Sequence, residues 1–310
     1  MPQNIAIIDL GTNTFNLLIA TVSEHNTSII YTTKQAVQLG KSTIGQNIIN
    51  PEAQDRAIKA LQHFAQKCTE YKVTKINAFA TSAVRTATNC DGFCNAIKVT
   101  TGIHIHVIDG LQEAEYIYQG VRKALNMPTT SNTLLMDIGG GSTEFIICNS
   151  TTVLWKQSYN IGIARLLAKF APNEIITSLQ KETILQYLKV ELSTLTEAIH
   201  IHQPTTLIGS SGSFDTFADI ILLAHNQPVL TQAQTNYTFD ITDLKQLFTT
   251  LYSSTYNQRL VMNGMLALRA EMIVLAALCT EYIIDEYNFK HMQLSTYALK
   301  EGALFSFVID

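Results

Sequence analysis

Two short segments of the 310-residue chain combine a carboxylate, small residues and hydroxyl groups in the same order. The first reads Asp9-Leu10-Gly11-Thr12-Asn13-Thr14, and the second reads Asp137-Ile138-Gly139-Gly140-Gly141-Ser142-Thr143-Glu144. Small residues let backbone amides approach an anion closely, and carboxylates suit a hard divalent cation such as magnesium. The two segments therefore predict phosphate chemistry assisted by a metal ion.

The second segment repeats the first in its chemistry and in its surroundings. Each lies between two apolar runs, which predicts a strand, a polar turn and a second strand. Superposition of Asp9 on Asp137 also aligns the next glycine and hydroxyl residue, Gly11 with Gly139 and Thr14 with Ser142. We infer an internal duplication, and two such turns facing each other would clamp a phosphate.

The occurrence of both copies makes ordinary hairpin turns without a binding role a weaker interpretation. An Asp-x-Gly sequence is common in ordinary hairpin turns, so either copy alone would be weak evidence of phosphate binding. No G-x-x-x-x-G-K-[ST] sequence occurs, and each glycine turn joins two strands instead of opening a helix. A Walker A loop and a dinucleotide-binding fingerprint are therefore excluded.

The elements that must position the turns alternate between strand and helix in the first half. Asn50 and Pro51 predict the start of a helix that runs to about Tyr71. Strands are predicted at Ile76–Ala80 and His104–Ile108, followed by a helix over about residues 111–125. This alternation is typical of an α/β domain.

The second half is predicted to be richer in helix. A strand at Thr206–Ile208 leads into the turn Gly209-Ser210-Ser211-Gly212-Ser213, which opens a helix. Arg269 to about Glu286 reads as one long, nearly all-apolar, buried helix. The tail over residues 294–302 is predicted to end in a small helix that returns to the first lobe.

The length allows two domains of ordinary size, so two lobes with a cleft between them are expected. We place the first lobe at residues 1–126, completed by about 297–310, and the second at 127–296. The short polar segment from Met127 to Asn132 is the best linker candidate.

Composition bounds the class of protein. Hydrophobic residues make up 46% and charged residues 15% of the chain. The net charge of -4 gives no support for binding of nucleic acid or polyphosphate across a broad basic surface, so we expect no nucleic-acid partner. No apolar run is long enough to span a membrane, and Met1-Pro2-Gln3-Asn4 shows neither the basic region nor the cleavage site that a signal peptide is expected to have. We expect a cytoplasmic protein with free thiols and no membrane association, and a homodimer as the common default of soluble oligomers.

The histidines offer a weaker metal prediction. His104 and His106 alternate, as do His200 and His202, so each pair would lie on one face of a strand. No third ligand is evident for either pair. Exposed strand residues are the simpler interpretation.

Five motifs in one order resemble those of the exopolyphosphatase and guanosine pentaphosphate phosphohydrolase family. They are the two turns already described together with Thr81-Ser82-Ala83-Val84-Arg85-Thr86-Ala87-Thr88-Asn89, Gly110-Leu111-Gln112-Glu113-Ala114 and the turn from Gly209 to Ser213. The resemblance runs from Ile5 to Gly302. Arg269-Ala270-Glu271 and Lys300-Glu301-Gly302 also look like family features. The resemblance implies an α/β protein of the actin-like ATPase (ribonuclease H-like) fold, in a short two-domain form.

The resemblance also implies roles for single residues. Glu113 matches the catalytic glutamate that activates water, and Arg85 matches a phosphate-binding arginine. Asp9, Asp137 and Glu144 match acids that hold Mg²⁺ or Mn²⁺. Backbone amides and hydroxyls of the turns would bind phosphates, from Gly11, Thr12, Asn13, Gly139, Gly140, Gly141 and Ser142. Without the resemblance, Glu113 reads as an exposed residue in a helix's first turn, Arg85 as a surface cation and Glu144 as solvent-facing.

The expected activity is release of orthophosphate from the end of inorganic polyphosphate. The alternatives are hydrolysis of guanosine pentaphosphate, an alarmone of the stringent response, another ATPase or sugar kinase of the same fold, and a non-catalytic alarmone sensor. The last alternative is motivated by Gln112 and Glu115, which depart from the family pattern beside Glu113. Ser213, where threonine is usual, is a smaller departure.

Overall fold

The computed structural model describes residues 2–24 and 26–307. The chain divides into two compact units, and the second is the continuous segment Val121–Ala298. The first consists of the residues up to Gly120 together with those from Leu299 onward. The predicted closing segment 297–310 extends past the described residues, which end at 307. Within the described part, no helix combines the length and hydropathy that a membrane crossing requires.

The first unit contains one mixed sheet and the helices that cover it. Its strands are β1 Gln3–Leu10, β2 Thr14–Val22, β3 Thr27–Ala36, β4 Lys75–Ala80 and β5 Ile105–Val107. Its helices are α1 Gly40–Thr43, α2 Pro51–Glu70, α3 Ser82–Arg85, α4 Cys90–Thr101, α5 Gly110–Ala124, which continues into the second unit, and α13 Leu299–Ser306.

The first sheet has the strand order β3-β2-β1-β4-β5. The centre strand β1 pairs antiparallel with β2 and parallel with β4, which places the carboxyl ends of β1 and β4 at one edge. Residues 5–8 of β1 are all buried, as expected for a strand covered on both faces. Functional residues after β1 and after β4 are therefore neighbours.

The second unit holds a larger mixed sheet. Its strands are β6 Thr133–Ile138, β7 Thr143–Cys148, β8 Val153–Tyr159, β9 Thr206–Ser210, β10 Asn236–Phe239 and β11 Met292–Ser295. Its helices are α6 Ile163–Phe170, α7 Ser178–Glu191, α8 Ser193–His202, α9 Gly212–Ala224, α10 Ile241–Tyr252, α11 Tyr256–Leu260 and α12 Ile273–Glu286, with one turn of 3₁₀ helix at Ala267–Arg269.

The second sheet repeats the first over five strands. Its order is β10-β11-β9-β6-β7-β8, in which β6 pairs antiparallel with β7 and parallel with β9. The series β8-β7-β6-β9-β11 thus has the same order and directions as β3-β2-β1-β4-β5. The duplication inferred from the two turns therefore extends across a whole sheet.

The start of α2 agrees with the sequence prediction. The Asn50 side chain accepts a hydrogen bond from the Ala53 amide, and Pro51 occupies the first helical position. The cap satisfies one of the amides that the first turn leaves unpaired, and proline lacks one of those amides. Residues of one face, including Ala57, Leu61 and Phe64, are buried against the sheet.

Two predictions for the second half need correction. The apolar helix α12 begins at Ile273, because Arg269 belongs to a separate 3₁₀ turn. His200 and His202 lie at the end of helix α8, so the predicted strand is wrong. The apolar pattern of α8 is helical, since Leu195, Ala198 and Ile199 are its buried residues. In the first half, only His106 of its pair lies within β5.

Helix α13 packs into the first unit through a glycine. A Cβ atom added to Gly302 would overlap the carbonyl oxygen of Tyr116 in α5 and would lie 2.7 Å from the Gly120 amide nitrogen. The missing side chain therefore lets the two backbones touch. Helix α13 also packs against β1. The small helix at the tail is thus part of the first unit.

Candidate functional site

The two aspartate turns have the same backbone geometry. The Gly11 amide donates to the Thr14 carbonyl oxygen at 3.2 Å, and the Gly139 amide donates to the Ser142 carbonyl oxygen at 3.0 Å. A Cβ atom at Gly11 would lie 2.8 Å from the first of these oxygens, and one at Gly139 would lie 2.9 Å from the second. Both turns therefore require glycine at this position for the same steric reason.

The carbonyl groups of the second turn are held by the start of α6. The amides of Ile163 and Ala164 donate to the carbonyl oxygens of Gly139 and Gly140, at 3.1 and 2.9 Å. The Arg165 side chain donates through Nε to the Gly141 carbonyl oxygen at 2.7 Å. These bonds satisfy amides that a helix start leaves unpaired, and they fix the shape of the turn.

The first turn is held in a similar way by the segment after β3. The amides of Val37 and Gln38 donate to the Asn13 carbonyl oxygen at 3.0 and 2.8 Å. The Gly40 amide donates to the Thr12 carbonyl oxygen at 2.9 Å. The predicted phosphate-binding residues thus lie in two turns whose carbonyl oxygens are already engaged.

The two aspartates differ in the residue that faces them across the hairpin. Asp9 is the register partner of Asn16, whose side-chain amide donates to Asp9 Oδ2 at 3.0 Å. Asp137 is the register partner of Glu144, seven residues later as in the first copy. Directly opposite residues lie on the same face of a sheet. The second turn therefore presents two acids where the first presents an acid and an amide.

Hydroxyl groups of the third turn hold Asp137. The Ser210 hydroxyl donates to Oδ2 at 2.6 Å, and the Ser211 hydroxyl reaches Oδ1 and Oδ2 at 2.7 and 2.8 Å. The parallel register pairs Asp137 with Ser210, which places the end of β9 beside the end of β6. With an exposed fraction of 6%, Asp137 is a buried carboxylate whose charge these donors stabilise.

Glu144 does not face solvent. Its exposed fraction is 1%, and Oε1 accepts a hydrogen bond from the Ser158 hydroxyl at 2.6 Å. A buried glutamate on a central strand is unusual unless it is hydrogen-bonded or binds a cation. The solvent-facing interpretation of Glu144 is therefore wrong.

Arg85 and Glu113 meet in the first unit. Nη1 of Arg85 donates to Glu113 Oε2 at 2.8 Å and to the Ile108 carbonyl oxygen at 3.0 Å. The exposed fraction of Glu113 is 7%, and Arg85 is half-buried. The sequence brings them together because α3 begins after β4 and α5 begins after β5, at the same edge of the sheet. The interpretations as an exposed glutamate and a surface cation are therefore wrong.

The Thr81 amide links this pair to the first turn. It donates to the Leu10 carbonyl oxygen at 3.4 Å, next to Asp9. The segment that carries Arg85 follows β4 in the sequence, and this hydrogen bond places its first residue beside the end of β1. The first unit therefore brings the aspartate turn and the start of α3 to one edge of its sheet.

The start of α5 gives Glu113 a defined position. The Asp109 carboxylate accepts a hydrogen bond from the Gln112 amide at 2.8 Å and so caps the helix. The Gln112 side chain is exposed, and Glu115 accepts a hydrogen bond from the Gln119 side chain at 3.0 Å. Arg85 forms its ion pair with Glu113.

A further arginine lies at the third turn, and the sequence prediction gave it no role. Arg269 donates through Nη1 to the Thr216 hydroxyl at 2.6 Å, and a Cβ atom at Gly212 would overlap its guanidinium. Burial lowers its pKa, and the charges of Asp215 and Asp219 oppose this shift. Arg269 lies shortly before α12 in the sequence, but its side chain packs against α9. The sequence alone did not reveal this contact.

The predicted metal ligands are all oxygen donors. No group of three or more histidine, cysteine, aspartate or glutamate side chains is positioned to hold a metal ion in the described ranges. Asp137 and Glu144 nevertheless face each other on one sheet, and carboxylate oxygens are ligands that Mg²⁺ and Mn²⁺ prefer. This chemistry fits a hard divalent cation bound largely through water.

Comparison with known proteins gives a consistent result over nearly the whole chain. The model of the Ppx/GppA phosphatase family matches residues 18–309. A Haemophilus influenzae protein provisionally named an exopolyphosphatase is 27% identical over 304 residues, which are 98% of this chain and 91% of that protein. A guanosine-5'-triphosphate,3'-diphosphate pyrophosphatase of Photobacterium profundum is 26% identical over 300 residues, 97% of this chain and 58% of that protein.

A solved structure is more similar still. The crystal structure of an exopolyphosphatase from Cytophaga hutchinsonii superposes with a TM-score of 0.96 at 38% identity. The match covers 99% of this chain and 98% of that one. The predicted actin-like ATPase fold is thereby confirmed. With its duplicated turns, its Arg85–Glu113 pair and this match, the chain belongs to the Ppx/GppA phosphatase family.

Proposed function

We propose that this phosphatase is an exopolyphosphatase that hydrolyses the terminal phosphate of inorganic polyphosphate and releases orthophosphate. The observation that carries the proposal is the ion pair that the half-buried Arg85 forms with the buried Glu113 at the start of α5. A buried acid beside a guanidinium can act on a water molecule while the cation neutralises charge on the phosphoryl group. The similarity to the exopolyphosphatase of Cytophaga hutchinsonii supports polyphosphate as the first substrate to test.

In the proposed reaction, Glu113 accepts a proton from water as the water attacks the terminal phosphorus. The bond to the bridging oxygen breaks, and the shortened chain leaves with the electron pair. Nη1 of Arg85 holds Glu113 in place, and its remaining N–H groups make no hydrogen bond with the described residues. These groups can bind phosphate oxygens, so no covalent phosphoenzyme is required.

The turns would bind the phosphate chain through main-chain donors. Their carbonyl oxygens are engaged by neighbouring amides, so the turns can present N–H groups to an anion. Within the second unit, Asp137 and Glu144 would hold Mg²⁺ or Mn²⁺, which would neutralise phosphate charge when bound. Asp9 is the corresponding acid in the turn of the first unit. Such local capture is consistent with the acidic net charge of the chain, which gives no support for binding across a broad basic surface.

Guanosine pentaphosphate is the second candidate substrate. The similarity to the Photobacterium profundum pyrophosphatase favours it, although the chain spans only about 58% of that protein. Attack on the terminal phosphorus would use the same residues for either substrate. Discrimination would therefore come from contacts with the rest of the substrate.

A phosphate-release assay tests these proposals. We expect turnover of polyphosphate with Mg²⁺ and its loss on chelation, with guanosine pentaphosphate measured in parallel. Glu113→Gln should lower kcat by about 10²- to 10⁴-fold while the melting temperature stays similar. Glu115→Gln, two residues along the same helix, is the matched control and should retain activity. Turnover of neither substrate, with tight binding of guanosine pentaphosphate by calorimetry, would instead establish the non-catalytic sensor.

A further inference from the structure

A pocket of about 350 Å³ opens in the second unit among α6, α11 and the start of α12. Its apolar wall includes Leu167, Val274 and Leu275, and the last two are buried. Arg259 also lines the pocket, although the exposed fraction of this residue is only 3%. Arginine is rarely buried unless it is paired. A buried guanidinium beside an apolar wall therefore distinguishes this pocket from an ordinary surface depression.

Two of the three guanidinium nitrogens of Arg259 donate hydrogen bonds to the protein. Nε donates to the Ala270 carbonyl oxygen at 2.7 Å, and Nη1 donates to the carbonyl oxygens of Glu174 and Ser254. The other terminal nitrogen, Nη2, makes no hydrogen bond with the part of the chain that the structure describes. It is also not among the polar atoms sealed from solvent without a partner.

The charge of Arg259 is incompletely compensated. No carboxylate among the described residues forms an ion pair with it, and three carbonyl dipoles supply its hydrogen bonds. Burial lowers the pKa of the guanidinium, and the charge of Glu174 acts in the opposite direction. An anionic oxygen at Nη2 would complete the hydrogen bonds and the charge balance.

The rim of the pocket carries charge of the opposite sign. Glu174 and Glu271 line it and are exposed. Two carboxylates at the rim disfavour a polyanion, so a phosphate chain is a poor ligand for this pocket. They suit an ammonium group attached to the same molecule that carries the anion.

We propose that this pocket binds a small zwitterion with an apolar body, of the kind represented by a branched-chain α-amino acid. The carboxylate accepts from Nη2 of Arg259, the hydrocarbon contacts Leu167, Val274 and Leu275, and the ammonium group faces Glu174 and Glu271. The three chemical parts of the ligand thus match the three surfaces of the pocket. The proposal concerns a site separate from the phosphate turns and does not depend on the proposed substrate.

Calorimetry with three probes tests the match on the intact chain. L-leucine carries both charges, 4-methylpentanoate lacks the ammonium group, and 3-methylbutylamine lacks the carboxylate. We expect leucine to bind best, 4-methylpentanoate more weakly and the amine not at all. Binding of the amine equal to that of leucine, or no binding of leucine, would overturn the proposal.

Variants at exposed positions avoid the folding cost of changing Arg259. Glu271→Gln should weaken leucine about twofold to fivefold and should strengthen 4-methylpentanoate, because it removes a rim charge that attracts one probe and repels the other. Glu182→Gln, an exposed glutamate of α7 outside the pocket, should change neither affinity. Asn173→Trp, at an exposed position in the pocket lining, should abolish leucine binding. Changes of equal sign for both probes at Glu271→Gln, or undiminished binding to Asn173→Trp, would refute the site.

Discussion

Nη1 of Arg85 lies 2.8 Å from Oε2 of Glu113, and the two residues are 28 positions apart in the chain. The same nitrogen also donates to the Ile108 carbonyl oxygen, just before α5 begins. The arginine therefore ties the end of α3 to the start of α5. The pair orients a buried carboxylate and a cation toward the edge of the sheet where the first aspartate turn lies.

Substitution of Arg85 by lysine tests whether a positive charge at this position is enough or whether the planar guanidinium group is required. Lysine keeps the positive charge but lacks the planar fork of the guanidinium, so it cannot hold Glu113 and bind phosphate oxygens together. We expect kcat to fall by about a hundredfold or more. Phosphate release at saturating substrate measures this loss, with a melting curve to show that the variant is folded. A folded variant with wild-type kcat would remove Arg85 from the reaction.

Loss of the serine hydroxyls beside Asp137 should destabilise the second unit. Ser211→Ala removes hydrogen bonds to a buried carboxylate, and each bond of this kind contributes about 1.5–3 kcal/mol. Ser210→Ala should behave similarly. Ser213→Ala is the matched control, because that hydroxyl makes no hydrogen bond with the described residues. Urea unfolding measures the free energies, and equal values for Ser211→Ala and Ser213→Ala would contradict the assigned role.

Alanine at Gly302 should disrupt the packing of α13 on α5. The new Cβ atom would overlap the Tyr116 carbonyl oxygen, and overpacking of this severity costs about 3 kcal/mol. Gly92→Ala adds the same atom to helix α4, where nothing lies within 4 Å. That control should gain up to about 1 kcal/mol from helix propensity. Chemical unfolding compares the two, and a neutral Gly302→Ala would show that the contact is not as close as described.

Alkaline pH should weaken the fold through its buried thiols. Burial raises the pKa of Cys68 to about 11 and the pKa values of Cys148 and Cys279 to about 12, from an ordinary value of 9.0. The folded state therefore keeps these protons when the unfolded state loses them. The stabilising contribution is complete below about pH 9 and is lost as the pH rises toward 12.

Urea midpoints between pH 8 and pH 10, measured under reducing conditions, check this sign. The loss of stability with pH should be smaller in Cys148→Ala than in the unmodified protein, because one buried thiol no longer titrates. Lysine and tyrosine side chains also titrate in this range, but they are common to both proteins. An identical slope for the two proteins would show that the Cys148 thiol does not contribute.

Local features of the sequence were enough to predict the strands around the aspartate turns and several of the helices. Asn50 and Pro51 mark a helix start by chemistry that needs no distant partner. The same holds for the aspartate turns, in which Gly11 and Gly139 allow a tight backbone that a Cβ atom would block. The fold class followed from the repeated turn and the resemblance of the motifs.

The features that sequence did not predict depend on distant contacts. Arg269, Ala270 and Glu271 are good helix formers, but the side chain of Arg269 packs at Gly212, and α12 begins only at Ile273, after a 3₁₀ turn that ends at Arg269. The partnership of Asp137 with Ser210 depends on the register of two strands 73 residues apart. His200 and His202 were misread because alternation over three residues cannot exclude a helix.

The discontinuous first unit has a consequence for synthesis on the ribosome. Helix α13, which packs against β1 and α5, is translated only after the whole of Val121–Ala298. The second unit is continuous, so its folding does not require α13. Until α13 has been translated, part of the apolar surface of the amino-terminal sheet stays uncovered. The translation of Val121–Ala298 is therefore the period in which the chain is most prone to aggregate and most dependent on chaperones.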